Sequence, residues 1–234
     1  AYFDAHEGPI TDAALGPEGR YLITASRDST ARLYDLRART VTAVLEGHDG
    51  PVTQVAIDAE ANRALTVSGS TARIWSMPGG ASAGAALEHE QPLVAAHLSP
   101  DGTTVWAGHR SGDGVVWTLW DVEGNRLWSE RTGGEIAASG FGPEGRHVYA
   151  VANRTATQTP QLHLWASDGS QHRTAPVSGQ GLSPSEVEYG VTDAALGAEG
   201  QMLSVMAGGV PRAEGPPTAV AYRYRLPGLT QTRA

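Results

Sequence analysis

The 234 residues contain no cysteine and no lysine, and only two phenylalanines and three methionines. Without cysteine there is no disulfide, no thiol nucleophile and no thiolate metal site, although a cysteine-free chain suits either redox compartment. All 17 basic residues are therefore arginine, scattered singly among 25 acids for a net charge of −8. No basic stripe is available to neutralise a phosphate backbone, so nucleic acid is not expected as a partner. Nor is a membrane, since no apolar run approaches the roughly 18 residues of a spanning helix and no charged-then-apolar leader opens the chain. These absences point to a soluble chain, expected in the cytoplasm. Arginine without lysine, beside abundant Ala, Gly and Pro, is the composition of a GC-rich, bacterial coding sequence.

What the chain has in excess is turn chemistry and repetition. It carries 29 Gly and 14 Pro, which favours many tight turns and an all-β architecture. The stretch TDAALGPEGR at 11–20 returns as TDAALGAEGQ at 192–201, eight of ten positions identical. Three further copies lie between them: VTQVAIDAEA from Val52, LVAAHLSPDG from Leu93 and IAASGFGPEG from Ile136. Each begins on an aliphatic residue and carries a large apolar residue five positions later (Leu15, Ile57, Leu98, Phe141, Leu196), and four then turn on Glu-Gly or Asp-Gly. The positions equivalent to Pro17 are spaced by 42, 41, 43 and 55 residues, three of them the length of a four-stranded propeller blade.

Each turn leads to a second apolar stretch and then to a third that carries an aromatic residue, assigned as Tyr34, Trp75, Trp120, Trp165 and Tyr222. Short β-branched and aromatic runs between Gly, Pro, Asp and Asn predict antiparallel meanders, with no useful length of helical period. The expected fold class is an all-β propeller of about five four-stranded antiparallel blades, with repeats at approximately 1–37, 38–77, 78–122, 123–167 and 168–234. The recurring TDAALG is then the innermost strand of each blade, where small residues fit a crowded centre.

These residues resemble the WD-repeat family of β-propellers. EGHDGPVTQV at 46–55 and LWD at 119–121 match its pattern, and ASRDSTARLYD at 25–35 matches with Tyr34 in place of Trp. The resemblance implies a buried side-chain network in each blade: His6, Ser26, Asp28 and Tyr34 in the first, His48 and Trp75 with Gly69 at the Asp position in the second, and His89, Asp113 and Trp120 in the third. The fourth keeps Trp165, and the last two lack the His and Asp.

It also implies a non-catalytic scaffold or sensor that binds a protein through loops on one face, as part of a larger multidomain bacterial protein. That face is expected to carry Glu7, Asp49, Glu90, Arg27, Arg110, Arg154 and Arg212. The long interruptions at 152–160 and 207–217 are expected to contribute, because loops beyond structural need are disproportionately functional. Trp106, Trp117 and Trp128 have no counterparts in other repeats, which makes them candidate interface anchors. An alternative is a propeller enzyme or small-ligand binder using a central channel lined by Asp12, Gln54, His97 and Asp193.

Other chemistry finds no foothold. The eight His show no short paired spacing, so no metal is expected. No G-x-S-x-G elbow, phosphate-binding loop or dinucleotide fingerprint is present, so neither a cofactor nor a catalytic residue is assigned. The Gly-rich GHRSGDG at 108–114 reads as a long surface turn. The family most often closes with seven blades, and the chain starts at Ala1 rather than Met. The expectation is a segment of a larger propeller, with the missing blades supplied by additional chain or another subunit and the last outer strand formed by residues 229–234.

Overall fold

A computed structural model describes residues 6–142, 144–153 and 160–177, together with the strand backbone of residues 187–196, 202–211, 218–225 and 230–233. Helix among these is confined to one 3-10 turn, Pro17–Gly19. Everything else regular is antiparallel strand, arranged as five consecutive meanders.

Blade 1 comprises β1 (Ile10–Leu15), β2 (Tyr21–Ser26), β3 (Ala31–Asp35) and β4 (Thr40–Leu45). Blade 2 comprises β5 (Gln54–Ile57), β6 (Arg63–Ser68), β7 (Thr71–Ser76), β8 (Ala81–Ser82) and β9 (Leu87–Glu88). Blade 3 comprises β10 (Leu93–Leu98), β11 (Thr104–Ser111), β12 (Gly114–Asp121) and β13 (Arg126–Gly133). Blade 4 comprises β14 (Glu135–Phe141), β15 (His147–Asn153), β16 (Gln161–Ala166) and β17 (His172–Pro176). Blade 5 comprises β18 (Val187–Leu196), β19 (Met202–Pro211), β20 (Thr218–Arg225) and β21 (Thr230–Arg233). Two compact units result, residues 1–111 with 116–130 and residues 112–115 with 131–234.

Four sheets have four strands, whereas the outer strand of blade 2 is split. β8 pairs with the Trp75–Ser76 end of β7, and β9 with its Thr71–Ala72 end. The single glycine between them has a physical cause: a Cβ on Gly84 would lie 2.1 Å from the Val122 carbonyl oxygen, so only a glycine lets the two backbones approach.

The second strand of blade 2 shows why the middle strands of the first unit carry buried apolar residues on both sides. In β6, Ala64 packs into a cluster with Ile23, Leu33 and Leu45 of blade 1, while its neighbour Leu65 packs with Ala96, Val105 and Val122 of blade 3. Successive strand residues point to opposite faces, so a sheet sandwiched between two others buries apolar side chains on both of its faces. Within the first unit, blade 2 thus shares one core with blade 1 and another with blade 3, neither of which it could build alone.

Polar side chains of the inner strands tie the blades together. Asp12 Oδ2 accepts the Val55 N–H at 2.9 Å. Gln54, at the same repeat position, brackets Ala96: its Nε2 donates to the carbonyl at 2.6 Å and its Oε1 accepts the N–H at 3.1 Å.

Two local expectations change. GHRSGDG is not a long turn: β11 runs to Ser111 and β12 starts at Gly114, leaving a two-residue Gly-Asp hairpin with Gly112 at φ +61°, as tight hairpin turns require. In blade 5, β19 continues through Ala207 to Pro211 where a loop was expected, and Leu203 pairs with Tyr224 as Leu22 pairs with Tyr34. Tyr224, not Tyr222, therefore holds the aromatic register position.

Candidate functional site

The chain has two kinds of conspicuous polar residue: a buried set at the end of each early blade and an exposed set on the loops beside it. The buried set is built by register. On β2 and β6, Thr24 and Thr66 stand opposite Ala13 and Val55 of the inner strands, and Ser26 and Ser68 follow two residues later on the same side.

In blade 1, His6 Nδ1 donates to Asp28 Oδ2 at 2.9 Å and His6 Nε2 lies 2.8 Å from Thr24 Oγ1. Asp28 also accepts the N–H groups of Glu7 and Thr30 and the Thr30 hydroxyl, between 2.7 and 2.9 Å. Ser26 Oγ donates to the Gly8 carbonyl and accepts the Asp28 N–H. Burial alone raises the Asp28 carboxyl's affinity for a proton, but the bonds from Thr30, His6 and Glu7 outweigh it and hold its pKa well below the usual carboxylate range. Tyr34 is buried, 4 % exposed.

Blade 2 keeps the same frame without the acid. His48 Nε2 lies 2.7 Å from Thr66 Oγ1, Trp75 Nε1 donates to that hydroxyl at 2.8 Å, and Ser68 Oγ donates to the Gly50 carbonyl as Ser26 does to Gly8. Burial, reinforced by the nearby Arg73 guanidinium, depresses the His48 pKa to about 4, so the ring is neutral and Thr66 can donate to it. Thr24 and Thr66 are central to both networks, yet a threonine in a β-branched run reads only as a strand former, and sequence reasoning passes over them.

Blade 3 departs further. His89 Nδ1 lies 3.3 Å from His109 Nδ1, with His109 at the position of Ser26 and Ser68. Asp113, expected in this network, is on the exposed Gly-Asp hairpin with its carboxylate bonded to Arg131 Nη2 at 2.7 Å. The shortened turn gives it no loop in which to fold back. Trp120 contacts the His89 ring edge-on, and in blade 4 Trp165 is 2 % exposed and stacks against His163 and His172. Two His pairs, His89 with His109 and His163 with His172, thus form across strands where linear spacing shows none. Among the described residues, no three His, Asp or Glu side chains group as a metal site.

Asp28→Ala is expected to lower stability by about 1–3 kcal/mol, because it strips the partners from a buried histidine and from two backbone N–H groups. A thermal melt reads this directly, and an unchanged midpoint contradicts the network's structural role.

The exposed set lies on the adjoining loops of the first unit. Glu7, Arg27, Asp49, Glu90 and Arg110 are all exposed. Backbone bonds hold these loops side by side: Val52 N–H donates to the Ser26 carbonyl, Leu93 N–H to Gly69 and His89 N–H to Ser70. Arg154 and Arg212 lie outside the described residues, as do 154–159 and 212–217 of the two long interruptions. Trp106 and Trp117, expected as interface anchors, are instead fully buried and stacked on each other with centroids 5.0 Å apart, and the half-buried Trp128 packs against Trp106. No helix among the described residues is long and apolar enough to cross a membrane.

The sequence profile of the WD40 family (WD domain, G-beta repeat) matches residues 1–35 and 39–76. Among solved structures, the chain is similar to hydrazine synthase of Kuenenia stuttgartiensis, with a TM-score of 0.71 at 13% identity over 97% of this chain. The chain spans 66% of that protein's length, and at this identity the likeness speaks to the fold alone. The chain accordingly carries two WD40 repeats, at residues 1–35 and 39–76, within an all-β propeller plan of antiparallel four-strand meanders.

Proposed function

We propose that this chain is a non-catalytic protein-interaction scaffold, and that the loop rim bearing Glu7, Arg27, Asp49, Glu90 and Arg110 is its partner-binding surface. The observation that carries this reading is the division of labour among polar residues. The buried ones of the first two blades are engaged in tying each blade's loops to its strands, while acids and arginines share the neighbouring exposed loops. A mixed-charge rim on a rigid support favours specific protein recognition over bulk electrostatic attraction. The channel-site alternative is weakened by Asp12 and Gln54, whose polar atoms are bonded to neighbouring backbone.

The reading extends to further blades. Ile10 and Leu15 on β1 are 61% and 63% exposed, whereas Val52, at Ile10's repeat position, is fully buried. What covers Val52 is blade 1, so the corresponding cover for Ile10 is another blade-like sheet, from additional chain or a second subunit.

Reversing Arg27→Glu and Arg110→Glu together is expected to leave the melting temperature within about 2 °C, since surface changes seldom exceed about 0.5 kcal/mol. Partner capture is expected to fall at least about tenfold, as loss of interfacial charge complementarity would cause. Undiminished capture by the folded variant counts against this surface.

A further inference from the structure

Blade 3 repeats the buried network of blade 2 with one group missing. His89 and Trp120 stand at the repeat positions of His48 and Trp75. Ala107 stands at that of Thr66, because Ala96 pairs with Ala107 as Val55 pairs with Thr66. In blade 2 a single hydroxyl serves both rings, 2.7 Å from His48 Nε2 and 2.8 Å from Trp75 Nε1. In blade 3 a methyl group takes its place. His89 Nε2 and Trp120 Nε1 are both buried and neither has a hydrogen-bond partner among the described residues, although the two rings adjoin with centroids 5.4 Å apart.

We propose that blade 3 binds one buried water molecule between Trp120 Nε1 and His89 Nε2, at the position that Thr66 Oγ1 fills in blade 2. Trp Nε1–H can only donate, so the bound group must accept there. His89 Nδ1 is engaged with His109 Nδ1, and with the proton on that side its Nε2 accepts. Burial depresses the His89 pKa to about 4, which keeps the ring neutral and that lone pair available. A water is the smallest group that accepts from one neighbour and donates to the other, the same two bonds that the threonine hydroxyl makes. Ala in place of Thr frees the volume of two heavy atoms, about what one water needs, and the site offers two polar atoms in an otherwise apolar cluster of Leu65, Ile74, Val105 and Ala107.

The test compares Ala107→Thr with Ala107→Val in the full chain by denaturant unfolding. Thr and Val have the same shape and both displace a water, but only Thr brings a hydroxyl to replace it. The expected order is wild type and Ala107→Thr comparable, with Ala107→Val lower in its folding equilibrium constant by at least about fivefold, the effect of one orphaned buried group. If the valine variant matches or exceeds the wild type, the space is dry and the proposal fails. It fails equally if threonine falls with valine, since the loss is then one of shape. Should neither variant fold, the indole N–H of Trp120 in 15N-labelled wild-type protein decides: a cross-relaxation peak to a long-lived water supports the site, and its absence overturns it.

Discussion

Replacing Trp106 with alanine is expected to destabilise the fold by about 3–5 kcal/mol, the range for removing a buried aromatic side chain. Trp106 is fully buried in β11, stacked on Trp117 of β12 at an interplanar angle of 12° and packed against Trp128 at 5.1 Å. Its loss would leave a void faced by two indoles on different strands of one blade, and strands pinned by their ladders cannot close over it. Trp128→Ala is the internal comparison, since a half-buried ring leaves a smaller hole that water can enter. Denaturant unfolding should rank the two variants in that order. A loss below about 1 kcal/mol at Trp106, the typical size for an ordinary substitution, would mean that the triplet does not hold the third blade.

Acid is expected to weaken the fold well above the range where carboxylates titrate. Burial depresses the pKa of His48, His89 and His97 to about 4 in the native state, against about 6.5 in an unfolded chain. Between those values the unfolded chain binds more protons than the native one, so stability falls as pH drops through that window, by about 1.4 kcal/mol per pH unit for each such histidine. Asp28 extends the trend: its folded pKa is held low, so its contribution is present above the unfolded value and disappears below it. Asp58 opposes them, because burial raises its carboxyl pKa and the native state then takes up its proton first. The net expectation is a loss on the order of 4 kcal/mol between pH 6.5 and pH 4.5, allowing for partial solvent access. In His48→Gln the slope should shrink by nearly one proton. Stability that stays flat from pH 6.5 to pH 5 would show that these rings are not buried neutral.

The blade plan was legible in the sequence because it depends on the recurrence of an inner strand, and every blade requires that strand for the same steric reason. His6, Ser26, Asp28, His48 and Trp75 are legible as well, through the resemblance of their repeats to the WD-repeat pattern. What escaped the sequence lies one level up, in pairing register. Thr24 and Thr66 are ordinary strand residues until the ladder sets them opposite the inner strand. Tyr222 and Tyr224 are two apart and share a face, so only the Leu203–Tyr224 pairing separates them. Asp113 was misplaced because a Gly-Asp dipeptide looks alike in a long loop and in a tight hairpin. The Trp triplet suggests interface anchors because it is confined to one blade, whereas the burial of Trp106 and Trp117 follows from three adjacent strands contributing to one cluster. Exposed rim residues were legible as loop residues, and their chemistry is set by what they meet.

The most direct test of the scaffold reading is quantitative pull-down from cell lysate. It compares the wild type with Arg27→Glu/Arg110→Glu and with Asp28→Ala, with each protein's folded fraction measured in parallel. The account predicts a protein partner that the wild type retains, that the folded rim variant loses, and that Asp28→Ala retains in proportion to its folded fraction. Identical partner sets for the wild type and the rim variant, or no partner for either beside turnover of a small molecule by the wild type, would contradict it.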